Sequence, residues 1–171
     1  MIVIADTSPL NYLIRLGYPH VLQEVFGRVL VPQAVLIEMQ HSEAPTEVRS
    51  WASAPPAWLE RTTVLQFDES LPAELGAGER EAISLALELH ADLLLIDERA
   101  GRQEAEARNI EVAGTLAVLL KASILGYLEF SETIQQLRKL GFRVSGPVEA
   151  LMLARYEQSK AENSDSDSIV R

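Results

Sequence analysis

The stretch Met1-Ile2-Val3-Ile4-Ala5-Asp6-Thr7-Ser8-Pro9-Leu10-Asn11 decides how the rest of this chain is read. Four apolar residues, Ile2 to Ala5, run without polar alternation into an acid, two hydroxyls and a proline. Such a run reads as a strand buried on both faces, the mark of a parallel sheet. Ser8 before Pro9 reads as a helix N-cap with proline at the first helical position. Asp6 then sits at the carboxyl end of a buried strand, where open α/β sheets hold their ligands. A bare carboxylate there is costly unless something cationic meets it. Asp6 is therefore the first candidate for chemistry.

Outward from this stretch, strand and helix patterns alternate. Helical patterns cover Pro9–Arg15 and His20–Phe26, a short strand covers Val29–Val31, and Pro32 opens a helix through Met39. A further helix spans Glu47–Ser53, and the β-branched run Thr62–Gln66 reads as a strand. Glu79–His90 carries apolar residues at helical spacing, and Leu93–Ile96 is a second fully apolar strand that runs into an acid, Asp97. Helix Arg99–Arg108, strand Ile110–Val112 and helices Thr115–Leu125, Ser131–Leu140 and Pro147–Tyr156 complete the series. Strands alternating with helices imply an α/β fold, a central parallel sheet with helices on both faces in three α/β/α layers. One domain is expected over 1–157, and the polar run over 158–171 reads as a disordered tail.

Composition narrows the function. The chain has 171 residues, 47% of them hydrophobic and 6% aromatic, which suits an aliphatic core. It contains no cysteine, which excludes disulfides, thiolate nucleophiles and Cys-based zinc sites and points to a reducing, cytoplasmic compartment. No basic segment followed by a long apolar core stands at the N-terminus, so no secretory leader is expected. The apolar stretch Val112–Leu128 is interrupted by Lys121 and is not read as a membrane span. The net charge of -10 repels polyanions overall, so any action on nucleic acid needs bound cations or a local basic strip. Arg99 and Arg102 lead the candidates for that strip, ahead of Arg108, Lys121, Arg138, Lys139 and Arg143.

Four acids stand at element ends or inside apolar stretches. Asp6 and Asp97 end apolar strands, Glu38 lies within Val35-Leu36-Ile37-Glu38-Met39, and Glu79 follows Gly78 at a helix start. Singly, Glu38 reads as a solvated helix face and Glu79 as a partner of the helix dipole. Jointly, the four make a hard, oxygen-rich set suited to Mg²⁺ or Mn²⁺. Clustered carboxylates raise each other's pKa, and a divalent ion resolves the conflict while activating water or holding a phosphate. The chemistry expected is in-line hydrolysis of a phosphodiester. Gly76-Ala77-Gly78 follows a polar loop, and Glu81 replaces the third glycine of a dinucleotide fingerprint. His20, His41 and His90 have no paired spacing, and Trp51 and Trp58 read as packing for a helical hairpin.

Asp6-Thr7-Ser8, Pro32 through Glu38, Glu79 with Ala82 and Ile83, and Leu93 through Asp97 resemble, in order and spacing, the acid motifs of the PIN domain. That family comprises metal-dependent ribonucleases, including bacterial toxins of the VapC type. The resemblance runs from Ile2 to about Gly126. It implies that Asp6, Glu38, Glu79 and Asp97 are catalytic metal-binding acids, that Thr7 or Ser8 steadies the first acid and its water, and that Asn11 supports them. It also implies an RNA substrate, an antitoxin protein as partner, and a homodimer; surplus apolar residues on the N-terminal helices, Leu10, Tyr12, Leu13, Leu16 and Tyr18, are the interface expected for it. The chain departs from the usual motifs by Glu79 in place of aspartate, with Glu81 nearby, and by Leu95 in place of a threonine. The Asp-x-Ser-Pro-Leu opening and the Lys139-Leu140-Gly141-Phe142-Arg143 turn resemble a less characterised PIN-like subgroup. The rival readings are a PIN-fold interaction or regulatory protein with weak catalysis, and a structure-specific DNA nuclease.

Overall fold

The computed structural model describes residues 1–168, with side chains as far as Glu162. The described residues divide into two compact units, Met1–Thr115 and the segment from Leu116 onward. All strands described belong to the first unit. They are β1 (Val3–Ala5), β2 (Val29–Pro32), β3 (Leu59–Thr62), β4 (Leu93–Leu95) and β5 (Val112–Ala113). They form a parallel sheet in the order β3-β2-β1-β4-β5, flanked by helices in the three-layer α/β/α arrangement.

The strand order follows from the chain's path. From β1 the chain moves outward through β2 to β3, then returns across the sheet to lay β4 against the other side of β1. The direction of winding reverses between β1 and β4, and the carboxyl ends of the strands at such a point are where open α/β sheets hold their ligands. Val3, Ile4 and Ala5 pair with Leu93, Leu94 and Leu95, and the amide of Asp6 still donates to the Leu95 carbonyl at 2.9 Å. Asp6 and Asp97 therefore flank the switch point, with backbones roughly 6 Å apart by ordinary strand spacing and rise.

Helices α1 (Thr7–Arg15), α2 (Val21–Phe26), α3 (Gln33–Gln40), α4 (Thr46–Ser53), α5 (Ala77–Glu88) and α6 (Arg99–Ala107) complete this unit. One core joins Ile4, Leu30, Leu94 and Ile96 of the sheet to Ala82, Ile83, Leu85 and Ala86 of α5 and Ala105 of α6. The alternate strand residues Val3, Ala5, Val29, Val31 and Leu95 are also buried, as a sheet covered on both faces requires. Leu10 and Leu13 of α1 are buried as well. Two of the five residues expected to form surplus surface for a dimer therefore serve packing within the chain. The rings of Trp51 and Trp58 lie 6.0 Å apart and tilted, as a packing role requires.

Three local expectations are corrected. Helix α1 begins at Thr7, so the cap position falls to Asp6 rather than Ser8, and Pro9 stands in the first turn. Proline is tolerated there because the first amides of a helix have no intrahelical acceptor. The third strand is Leu59–Thr62 rather than Thr62–Gln66. Its pairing with β2 ends at Pro32↔Thr62, and the amides of Leu65 and Gln66 turn instead to Glu88. The polar tail expected from residue 158 is helical as far as Ser168, while 169–171 lie outside the described residues. Gln158 donates to Glu162 one turn on, and Lys160 lies over the Tyr156 ring, pairs that support a helix of polar composition.

The second unit contains most of α7 (Thr115–Ile124), then α8 (Phe130–Lys139) and α9 (Gly146–Ser168). The buried Phe130 meets Tyr156 at 5.7 Å between ring centroids. Arg138 pairs with Glu149, tying α8 to α9. Among the described residues no helix is long and apolar enough to cross a membrane.

Candidate active site

Asp6 leaves β1 at the head of α1 and is 2% exposed. Its Oδ1 is buried without a hydrogen-bond partner. Burial pushes its carboxyl up to about 7, and the charges of Glu79 and Glu38 push the same way. The amides of Thr7 and Ser8 pull it down without closing a capping hydrogen bond. A carboxylate is thus held where solvation is poor and its near neighbours are acids.

Glu38 reaches this place from α3 and joins the heads of two other helices. Its Oε2 accepts from the Thr7 hydroxyl, and its Oε1 accepts from the Gly78 amide at 2.7 Å. A Cβ on Gly78 would stand 2.5 Å from Glu38 Oε2, so glycine here leaves the Glu38 carboxylate room to hold its position. The Thr7 hydroxyl therefore steadies Glu38, while the Thr7 and Ser8 amides act on Asp6. Among the described residues the Ser8 hydroxyl makes no hydrogen bond, and Asn11 Oδ1 is buried without a partner one turn along α1 from Thr7.

Glu79 divides its two oxygens between structure and site. Oε2 accepts from the Gly76 amide at 2.9 Å and closes the head of α5, while Oε1 is buried with no partner. A Cβ on Gly101 would come within 2.7 Å of that free oxygen, so α6 too depends on glycine where it passes the site. Burial raises the Glu79 carboxyl above its ordinary range, with Glu98 and Glu38 adding to it. Glu81, two residues on, is not part of this group. Its Oε2 accepts from the Ala34 amide at 2.8 Å and satisfies the first turn of α3.

Asp97 stands at the end of β4 with both oxygens engaged. Oδ1 accepts from the Thr115 amide at 2.8 Å and Oδ2 from the Thr115 hydroxyl at 2.6 Å. Burial raises its carboxyl; the Thr115 bonds and Arg102 pull it down, and Glu98 pushes it up. Arg102 Nη1 also donates to the Ile96 carbonyl at 3.0 Å, which commits this guanidinium to the sheet end. Arg99 is exposed at the first residue of α6, with no ion pair among the described residues. Arg108 is bound to Asp68, Glu104 and Ser70, so it is not a free phosphate contact.

Asp6, Glu38 and Glu79 thus act on one another, and Glu98 connects Glu79 to Asp97. Glu98 was not among the expected acids, although its place at the head of α6 directly after Asp97 was a signal that could have found it. Thr115 had no such signal, lying 18 residues from the carboxylate it holds. Among the described residues no three Asp, Glu or His side chains are drawn to ligand distance of a common point. The donor set nonetheless fits a hard divalent cation: all oxygen, two unpartnered buried oxygens on Asp6 and Glu79, and carboxyls driven up by burial and mutual repulsion.

A parallel sheet with acids gathered at its switch point is an α/β domain with its carboxylates where such sheets hold ligands. The chain belongs to the PIN-domain family, whose sequence profile matches residues 2–158. PIN domains are in general nucleases and typically use divalent metal ions. Among solved structures, the chain is similar to a PilT N-terminus domain protein from the hyperthermophilic archaeon Sulfolobus solfataricus P2. The TM-score is 0.54 at 15% identity, covering 75% of this chain and 98% of that one. At that identity the likeness speaks for the fold. No curated protein matches the chain.

Proposed function

We propose that this PIN domain is a metal-dependent endoribonuclease whose chemistry centres on Asp6, Glu38 and Glu79, with Asp97 fixing the adjoining strand end. The observation that carries the reading is Asp6 itself, a buried carboxylate with an unpartnered oxygen and a carboxyl near 7, facing two further acids. Natural chains do not place such a group at a sheet's ligand-binding edge for stability, since an unpaired buried charge is costly.

Asp6, Glu38 and Glu79 would hold Mg²⁺ or Mn²⁺, which supplies Lewis acidity and neutralises the phosphate charge. In the hydrolysis, a bond forms from water oxygen to phosphorus as the bond to the leaving sugar oxygen breaks, and that oxygen takes up a proton. The carboxyl near 7 belongs to Asp6 without a cation beside it; holding one, Asp6 would be a charged ligand, and the proton given up by the water would pass to solvent as the leaving oxygen takes one up. Glu38 is held in place by Thr7 and Gly78, and Glu79 by Gly76, so both acids are positioned before substrate arrives.

One observation favours the rival, a PIN-fold interaction protein with little catalysis. Both oxygens of Asp97 are already occupied by Thr115, and no ready three-acid cage exists among the described residues. Incubating the full chain with a mixed RNA pool, with Mn²⁺ or Mg²⁺ and again with chelator, separates the two readings. Metal-dependent fragments that Asp6→Asn fails to produce are expected. Metal binding without cleavage of any RNA, or cleavage retained in the Asn variant, overturns the proposal.

A further inference from the structure

Helix α5 presents a stripe one turn apart, Arg80, Ser84 and Glu88, to the loop after β3. Glu88 accepts from the amides of Leu65 and Gln66 at 2.8 and 2.9 Å, and Ser84 from the amide of Asp68 at 3.0 Å. Arg108 binds Asp68 and Ser70 from α6's end. The loop backbone is therefore held without Arg80. The Arg80 guanidinium instead lies over the Phe67 ring, 5.7 Å from its centroid. Among the described residues it has no carboxylate partner, and its Nε is buried with no acceptor. Arg28, Arg108 and Arg138, by contrast, are each paired with an acid. Nor does Arg80 serve as counter-ion to the adjacent Glu79, whose neighbouring charges are Glu98 and Glu38.

We infer that Arg80 and Phe67 form a contact platform for single-stranded RNA beside the acidic site, the guanidinium meeting a backbone phosphate and the ring a base. This rests on the ribonuclease reading. An unpaired guanidinium matches phosphate geometry with planar donors. An exposed ring backed by a cation offers a stacking face to any base, and Phe67 is 38% exposed, beside Leu65 at 81%. Bases in a duplex are stacked on one another, so the ring favours a single strand. Arg80 directly follows Glu79 in the first turns of α5 and points about 100° round the helix from it, so the platform lies at the same end of α5 as the acids but off to their side. In a chain of net charge -10, such a local cation is what a polyanion needs to approach the pocket.

The test uses the full chain with a short unstructured RNA. Cleavage in Mn²⁺ is read as KM and kcat, and binding of the labelled RNA in Ca²⁺ is read by anisotropy across salt concentrations. Arg80→Ala is expected to weaken binding about five- to tenfold, raising KM with little change in kcat. It also flattens the log–log salt dependence by about 0.7, the loss of one phosphate contact on a single strand. Phe67→Leu weakens binding about fivefold with the salt slope unchanged. Ser84→Ala, which loosens the loop alone, leaves both intact. Wild-type binding by Arg80→Ala, equal weakening by Ser84→Ala, or duplex RNA competing as well as single strands each overturns the platform. Cleavage that ignores the Arg80 and Phe67 variants removes the platform and leaves the ribonuclease reading standing. Binding that responds to them without any cleavage supports the platform and removes that reading. RNA neither bound nor cleaved overturns both.

Discussion

Strands β1 and β4 lie side by side, and each runs from the apolar core into an aspartate, Asp6 on one and Asp97 on the other. At the end of β4 the carboxylate finds Thr115, whose amide and hydroxyl take both oxygens. At the end of β1 the carboxylate finds two acids and keeps Oδ1 unpartnered. The same local pattern thus yields an anchor in one strand and a buried carboxylate with an unpartnered oxygen in the next. Position at a strand end tells where a group will be; the partners brought by distant helices tell what it can do.

The widest gap between the two should appear on replacing Asp6. Asp6→Asn is expected to lower metal-dependent RNA cleavage on the order of a hundredfold or more, since a hard, charged ligand leaves the site. It should also stabilise the metal-free protein. The folded carboxyl, near 7, lies above its unfolded value of 3.8, so the folded state binds the extra proton between those values. Wild-type stability therefore falls as pH rises from about 4 through 7. The Asn variant lacks that loss and should melt higher at pH 8 by on the order of a few kcal/mol, with little difference at pH 4. Melting curves at the two pH values decide it, and a gain of equal size at both would show that ionisation of Asp6 is not the cause.

Asp97 should behave in the opposite sense. Thr115 is fully buried, so Asp97→Ala strands an amide and a hydroxyl and should cost about 2–4 kcal/mol. Asp97→Asn should be far milder, because its oxygen can still accept from the amide and the Thr115 hydroxyl can turn to accept from the new amino group. A denaturant titration comparing the two variants checks this. If Asp97→Asn abolishes cleavage as fully as Asp6→Asn while folding normally, the contrast between the strand ends collapses and Asp97 joins the metal ligands.

These differences also explain what could be read from the sequence. Ile2–Ala5 and Leu93–Ile96 were legible because burial on both faces leaves no polar alternation, and the acids that end them fell at the sheet's switch point. Strand β3 was not, because it is an edge strand with exposed Glu60 and Arg61, while the β-branched Thr62-Thr63-Val64 run drew the reading downstream. All four expected acids belong to this end of the sheet, but their division into a mutually acting trio and a separate anchor depends on Thr115. Leu95, where a threonine is usual, is core at 0% exposure, and the hydroxyl beside Asp97 comes from Thr115 instead. Such long-range pairings leave no mark in local spacing.

A smaller effect is expected at the heads of the helices that hold the trio. Gly78→Ala places a Cβ 2.5 Å from Glu38 Oε2. Glu38 is a flexible side chain and can move aside, so the fold should survive while the acid loses its position. Cleavage should fall about tenfold, the usual range for a disturbed supporting contact in a metal site, with melting nearly unchanged. Thr7→Val, which removes the other bond to Glu38, should act in the same direction, and the two variants should combine less than additively because they act on one carboxylate. Independent, fully additive losses would mean that Glu38 is not their common target.

The smallest effect separates two acids that lie two residues apart on α5. Glu79 keeps a buried oxygen free beside Asp6 and Glu38, whereas Glu81 gives its Oε2 to the Ala34 amide at the head of α3. An acid there satisfies one orphan amide and meets the positive end of the helix dipole. Glu81→Gln keeps an oxygen that can accept from Ala34 but gives up the charge, so it should cost about 0.5–1 kcal/mol. Metal-dependent cleavage should be unchanged, because Glu38 lies toward the far end of α3 and has its own bonds to Thr7 and Gly78. Glu79→Gln should show the reverse, with cleavage lost and stability held or raised, since burial already disfavours its charge. Measuring melting temperature and cleavage for both variants side by side tests the assignment at its finest grain. A Glu81→Gln protein that melts normally but no longer cleaves RNA would move the third acid of the site from Glu79 to Glu81.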